Sequence, residues 1–339
     1  MSRIQRRHIL FASGAMLAAW LARAQAPKVG QPRRIGVLAL SFEPKIPVAQ
    51  RLTIIAFRKL GWIEGENLLV ERAYADLRAD RLPALAEELV RKRVEIIWTI
   101  GPDATLAAAR ATRSIPIVFM NVPYPVEQGL IDSFARPGRN LTGTSFFTDA
   151  GVGEKLYEFL REIAPAAKRL SRLSEPHAVE TLAAGRVDLG RAARTSAHRL
   201  GFELRSHEIR KLEDLDTAFA EITAWRADAI HAAGGEHLYV ARQRIAEFGL
   251  RHRLPCSSAS FATVEAGGLL SYGAAASEVE AMYIRGAEYM DRILRGARPS
   301  ELPVQRPSKY ELVINSKTAK ALGLKIPQSL LLRAHRVIE

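Results

Sequence analysis

The chain has a single cysteine, Cys256, in 339 residues, so it can form no internal disulfide and no cysteine-rich zinc site. Aromatic residues are sparse, at 7%. The basic residues are scattered, with no long run and no aromatic interleaving, so the net charge of +13 reads as a solvated basic surface and not a nucleic-acid site. The uncharged run Ile9–Ala22 is fourteen residues long, short of the roughly 20 that a membrane-spanning helix needs. Enzyme signatures are missing too. There is no G-x-S-x-G elbow, no phosphate loop ending in Gly-Lys-Ser/Thr and no H-E-x-x-H. Gly151-Val152-Gly153 lacks the third glycine of a dinucleotide loop, and no motif calls for a cofactor. His231 and His237, with Glu236 beside them, are a thin basis for a metal site and read better as surface or pocket-lining residues.

What is present is the composition of a folded protein, 48% hydrophobic and 25% charged, long enough for about two domains. Residues 1–26 carry Arg3, Arg6, Arg7 and Arg23 and no acid, and end in Ala24-Gln25-Ala26. A basic start, a short apolar run and an A-x-A site make a secretory signal, and Arg6-Arg7 resembles a twin-arginine export signal. With no cysteine after the apolar run, a lipid anchor is not expected. The signal holds four of the 49 basic residues, so removing it leaves +9.

From Arg33 onward short apolar runs alternate with amphipathic stretches. Strands are expected at Ile35–Leu40, Leu68–Tyr74, Val94–Thr99, Ile115–Val122 and Leu141–Gly143. Between them the spacing predicts helices, one with Leu52, Ile55, Ala56, Phe57 and Leu60 inward, others over Arg81–Arg91, Ala104–Ala111 and Val126–Phe134. The alternation then repeats. Helices are expected over Gly153–Ile163, Thr181–Leu200, Leu212–Trp225 and Leu238–His252, with strands at Phe202–Ile209, Asp228–Ala232 and Leu254–Ser257. Two α/β halves with doubly wound parallel sheets follow from this order. Cys256, in a buried strand, reads as a small apolar residue.

In such sheets ligands bind beyond the carboxyl ends of the strands. Those ends carry Ser41 and Phe42, Gly101 and Pro102, and Asn121 and Tyr124 in the first half, then Gly235, Glu236, Ser258 and Phe261 in the second. Short residues leave backbone N–H groups open at helix starts, which suits a carboxylate, and Phe42, Tyr124 and Phe261 supply apolar walls. Individually the same residues also make ordinary turns and caps.

Several stretches together resemble the solute-binding proteins of bacterial ABC importers, the group that includes tryptophan- and tyrosine-binding members. They are Phe57-Arg-Lys-Leu-Gly-Trp-Ile-Glu-Gly-Glu-Asn67, Gly129-Leu-Ile-Asp-Ser-Phe-Ala-Arg-Pro-Gly-Arg-Asn-Leu-Thr-Gly143, Val264-Glu-Ala-Gly-Gly-Leu-Leu-Ser-Tyr-Gly273 and Leu312-Val-Ile-Asn-Ser-Lys-Thr-Ala-Lys-Ala-Leu-Gly-Leu324. The resemblance implies a type I periplasmic-binding-protein fold of two lobes, 33–143 plus about 273–300 and 144–270 plus about 305–339. The implied hinge includes Gly143-Thr144 and Leu270-Ser271-Tyr272, with Thr144 and Ser145 near the ligand. It also implies a monomeric periplasmic protein that captures a small, aromatic or carboxylate-bearing solute and hands it to an inner-membrane permease, without chemistry. A module reporting to a membrane receptor and an exported α/β enzyme are the competing readings.

Three departures from the family stand out. Members that bind amino acids typically have Gly-Asp-Pro after the fourth strand, where the carboxylate pairs with an ammonium group. Here Pro123-Tyr124-Pro125 stands there, and Tyr124 is expected to stack on a planar ligand or donate its hydroxyl. An Asp-Pro pair of the second lobe is replaced by Gly235-Glu236-His237, which makes Glu236 a displaced negative charge. The first strand of that lobe reads Arg169-Leu-Ser-Arg-Leu-Ser174, and two arginines in a central strand need an explanation.

Overall fold

The computed structural model describes residues 31–42, 48–146, 151–175 and 189–339. The expected export signal lies outside the described residues, as do residues 181–188 of the helix expected over Thr181–Leu200.

The first lobe is built on a five-stranded parallel sheet in the order β2-β1-β3-β4-β5. Its strands are β1 (Arg33–Ala39), β2 (Leu68–Tyr74), β3 (Ile96–Ile100), β4 (Ile117–Met120) and β5 (Leu141–Gly143). Helix α1 (Val48–Lys59) follows β1, α2 (Leu82–Arg91) follows β2, and α3 (Pro102–Ala111) follows β3. Alternation along the strands sends Ile35, Val37, Trp98 and Met120 to one face, under Ala56 and Phe57 of α1. Leu38, Ile97 and Phe119 go to the other, under α2 and α3. Gly36 lets α2 come close, since a Cβ there would lie 2.9 Å from the Leu89 side chain.

The second lobe has a seven-stranded sheet, β12-β11-β10-β9-β8-β6-β7. After β5 come α4 (Gly151–Ile163), β6 (Arg169–Ser174), α5 (Leu189–Arg199), β7 (Glu203–Glu208), α6 (Asp214–Ala224) and β8 (Ala229–Ala232). Then follow α7 (Glu236–Val240), α8 (Arg242–Arg251), β9 (Cys256–Ser258), α9 (Phe261–Glu265) and β10 (Leu270–Ala274). Helix α10 (Ala276–Leu294) returns to the first lobe, where Ala287, Met290 and Ile293 complete the α1 face. The chain crosses back to β11 (Tyr310–Asn315), antiparallel to β10, and ends with α11 (Ser316–Ala321), α12 (Gln328–Leu331) and β12 (Arg336–Ile338). No helix among the described residues is long and apolar enough to cross a membrane.

The crossovers are held together by backbone. Ser145 N–H donates to the Gln305 carbonyl at 2.9 Å, and Gln305 N–H to that of Gly143 at 3.0 Å. A Cβ at Gly143 would lie 1.9 Å from the Phe119 carbonyl oxygen, so only glycine fits. Leu270–Tyr272, expected in the hinge, instead belong to β10, which pairs with β9 and β11; the chain leaves the sheet only after Ala274.

Three local expectations are corrected, and the arginine-bearing strand finds its explanation. Val126–Phe134 is a series of turns and not a helix, because Gly129 takes the left-handed conformation in its middle and stops propagation. The expected Leu238–His252 helix is two, α7 and α8, broken at Ala241. Ile55 is 45% exposed; Thr53 takes its place on the inner face, with its hydroxyl donating to the Tyr283 carbonyl. The arginine-bearing segment is a regular central strand, β6, paired with β7 and β8. Leu170 and Leu173 enter the cores on its two faces. Arg169 donates to the Trp225 carbonyl, and the Asp228 carboxylate accepts the Lys168 and Arg169 N–H groups. Ser171 pairs with His207. Arg172 is buried, 8% exposed, and has no hydrogen-bond or ion-pair partner among the described residues.

None of the Arg172 guanidinium nitrogens is both fully buried and without a partner, so the stem is packed while the charged tip meets solvent. Arg172→Met is therefore expected to change stability by less than about 1 kcal/mol. Urea unfolding of the two proteins checks this through the midpoint at unchanged m-value.

Candidate functional site

Both sheets use the same local order. In the first, β2-β1-β3-β4 switches direction between β1 and β3; in the second, β7-β6-β8-β9 switches between β6 and β8. Helices leave to opposite faces at such a point and open a crevice at the strand ends. The residues after β3 and β8 match. Gly101 caps α3 with φ 84°, and Pro102 and Asp103 begin the helix. Gly235 caps α7 with φ 126°, and Glu236 begins the helix. A carboxylate thus stands at the switch point of each lobe.

Glu175, just after β6, is buried and fully engaged. One oxygen accepts the Leu238 N–H at 3.0 Å and the other faces His237 Nδ1 at 3.0 Å. A Cβ on Gly235 would lie 2.2 Å from this carboxylate, so the glycine makes room for it. The other ring nitrogen, Nε2, lies 3.2 Å from the carbonyl oxygen of Leu77, in the first lobe. That carbonyl can only accept, so Nε2 carries a proton. When the ring is protonated, Nδ1 donates to the carboxylate as well. Leu212 of the second lobe packs on the first-lobe core beside Leu77. The lobes are closed on each other here.

Asp103 and Glu236 have no hydrogen-bond or ion-pair partner among the described residues. Burial, reinforced by the charge of Glu175 and partly offset by His237, pushes the Asp103 carboxyl up to about 6. The same causes push Glu236 up to about 7. Burial opposes the charge on His237, but the bond and charge of Glu175, the Leu77 carbonyl and Glu236 outweigh it and raise the ring above its ordinary value.

Backbone strain collects at the same rim. Among the described residues seven non-glycine residues have positive φ. Arg93, Arg226 and Arg253 end helices α2, α6 and α8, where left-handed residues are ordinary. The other four, Asp76, Leu77, Asn121 and Tyr124, follow β2 and β4 at the first-lobe mouth. Strain held by surrounding structure is typical of ligand sites. Asp76 and Leu77 are tied to the end of β1 by bonds to Ser41 and Leu40.

The remaining strand-end residues are distributed as follows. Ser41 is half-buried and Phe42 is 48% exposed. Tyr124 is nearly buried, beneath the strained turn. Thr144 and Ser145 are wholly buried in the first crossover. Ser258 is buried in its turn, accepting from Ser260 N–H and Thr263 Oγ1. Phe261 lies under the Arg336 guanidinium, 5.9 Å from the ring centre. His231 is in the second-lobe core, on Ser257 at 3.1 Å, and away from His237. Among the described residues no group of three or more His, Cys, Asp or Glu is arranged to hold a metal. Cys256 is buried, its thiol pushed up to about 12 by burial. A groove of about 830 Å³ opens along the crossovers, between Phe134, Lys155, Tyr272, Arg306 and Tyr310. It shares no residue with the carboxylate cluster, and the strand ends, where this topology places ligands, point to the cluster.

The family model for ABC transporter substrate binding proteins matches residues 52–338. The chain belongs to this family. A tyrosine-binding protein of Clostridioides difficile is 22% identical over 293 residues, 86% of this chain and 81% of that protein. A conserved domain protein from Vibrio cholerae superposes with a TM-score of 0.79 at 25% identity, over 91% of this chain and all of the other. An ABC domain in complex with L-Trp from Streptococcus pneumoniae gives 0.77 at 20% identity, with the same coverage. The chain is thus a substrate-binding protein of two α/β lobes with the type I periplasmic-binding-protein fold.

Sequence reasoning singled out Glu236 but gave Asp103 only the role of a helix start and left out Glu175 and the Leu77 carbonyl. The repeated glycine-then-acid pattern after β3 and β8 was the available signal.

Raised carboxyl pKa values mean that the folded protein holds these protons more tightly than the unfolded chain. Stability then falls as pH rises through about 6 and 7, and the raised His237 acts with the same sign. Asp103→Asn and Glu236→Gln are each expected to raise the melting temperature by a few degrees at pH 8, and together to flatten its rise between pH 8 and pH 6. Thermal melts across that range check this.

Proposed function

We propose that this protein is the extracytoplasmic receptor of an ABC importer. After export and loss of residues 1–26, a monomer in the periplasm captures a small aromatic solute between its lobes and presents the closed form to an inner-membrane permease. The observation that carries the reading is the pair of matched switch points facing each other, with His237 of one lobe bonded to Leu77 of the other. A ligand touching both walls favours the closed state over the open one by its extra contacts. The tyrosine-binding relative and the L-Trp complex support an aromatic ligand. On this reading Ser41, Gly101, Asn121, Tyr124, Gly235 and Glu236 line the ligand, Phe42 and Phe261 flank the entrance, and the crossover residues Thr144 and Ser145 flex.

A thermal-shift screen against aromatic amino acids, aromatic acids and amines, and nucleosides tests this. A ligand at 1,000 times its Kd stabilises by about 4 kcal/mol, several degrees for lobes of this size. The same ligand should lower the radius of gyration in solution scattering. Tyr124→Ala is expected to weaken it several-fold while the unliganded protein still melts cooperatively. A cooperatively melting protein that no compound stabilises or compacts would overturn the reading.

A further inference from the structure

We propose that the groove along the crossovers is a second binding site, and that its ligand is an aromatic carboxylate held by Arg306. The groove shares no residue with the strand ends assigned to the interlobe cleft, so the inference stands apart from the reading of that cleft. Its volume of about 830 Å³ lies in the range that takes small molecules.

The walls come from three parts of the chain. Phe134 packs against the first-lobe core. Tyr272 and Tyr310 stand on the adjacent second-lobe strands β10 and β11, their ring centres 5.9 Å apart. The crossover segment 303–308 supplies the rest. That segment is fixed by backbone contacts. Val304 N–H donates to the Phe134 carbonyl at 2.7 Å, and Gln305 is bonded to Gly143 and Ser145. Ser308 donates its N–H and its hydroxyl to the Glu278 carboxylate on α10. Pro303 and Pro307 restrict the segment further. The groove is therefore built before a ligand arrives, which lowers the cost of binding.

Its charge is one-sided. Among the described residues that line it, Lys155 and Arg306 are cations and none is an acid. Lys155 is already paired with Glu158, at 2.6 Å. Arg306 has no hydrogen bond or ion pair among the described residues. Its guanidinium lies over the Phe134 ring, 4.7 Å from the ring centre. A guanidinium stacked on a ring keeps its N–H edge available, and a carboxylate matches that edge with two parallel bonds. The hydroxyls of Tyr272 and Tyr310 also have no hydrogen-bond partner among the described residues. With Phe134 these two rings offer aromatic surface on both lobes, which suits a flat apolar body attached to the carboxylate. A ligand seated there touches both lobes and the segment between them.

The test is calorimetric titration of the purified protein with 2-naphthoate, with its uncharged amide, and with acetate, which lacks the rings. The naphthoate should bind, at least tenfold more tightly than either of the others. Arg306→Gln should weaken it at least tenfold, the loss of one charge-assisted pair, while the variant still melts cooperatively. Arg251→Gln, the same charge change at an exposed position on α8, should leave the affinity within twofold. Absence of naphthoate binding, an amide or acetate that binds as tightly, unchanged affinity in Arg306→Gln, or an equal loss in Arg251→Gln overturns the site. None of these results touches solute capture in the cleft, whose lining both variants leave intact.

Discussion

The His237 ring touches both lobes, and much of the cleft follows from its two contacts. Nε2 can contact the Leu77 carbonyl only by donating, and Nδ1 meets a buried carboxyl group in its own lobe. The ring gives the buried Glu175 side chain its partner, as a buried acid requires. Glu175 in turn receives the Leu238 N–H at the start of α7 and leaves no room for a side chain at Gly235. The position of α7 then sets Glu236 beside the Glu175–His237 pair. The acceptor across the cleft is itself constrained. Leu77 has φ 61°, unusual for leucine, and its loop is tied to β1. Removing the proton from His237 would leave one of its two contacts as acceptor against acceptor.

The parallel sheets were legible because buried strands carry unbroken apolar runs and helices carry a different period. Ile35–Ala39 and Ile117–Met120 announce themselves this way. Strand β6 did not, since its sequence alternates leucine with arginine and serine; it is held by neighbours on both sides and by Asp228, which sequence order places 59 residues after Arg169. The turns over Val126–Phe134 read as a helix because apolar spacing survives where the left-handed Gly129 breaks the backbone path. The site was half visible. Strand ends could be located, so Gly101, Gly235 and Glu236 were reachable. The Glu175–His237–Leu77 chain was not, because it joins residues 62 and 160 apart and one of its members contributes only backbone.

The same division separates hinge from walls. Thr144 and Ser145 are polar yet wholly buried, because their backbones pair with Gln305 on the returning crossover. The glycine before them lies against the β4 backbone, where any side chain would collide. Polar residues next to a cleft therefore serve two purposes, and only burial with known partners tells them apart. Asp103 and Glu236 stand at the other extreme, partly buried and without a hydrogen-bond or ion-pair partner among the described residues.

Helix α10 carries a consequence for synthesis. Its residues Ala287, Met290 and Ile293 cover Trp98 and Met120 on the face shared with α1, yet they come after almost the whole second lobe. Until that helix has emerged from the ribosome, the first lobe has one apolar face of its sheet covered by α1 alone. Its folding must wait for contacts nearly 200 residues apart in sequence, which slows it and keeps sticky surface open for longer. The amino-terminal lobe is thus the first to be made but cannot be the first to be finished.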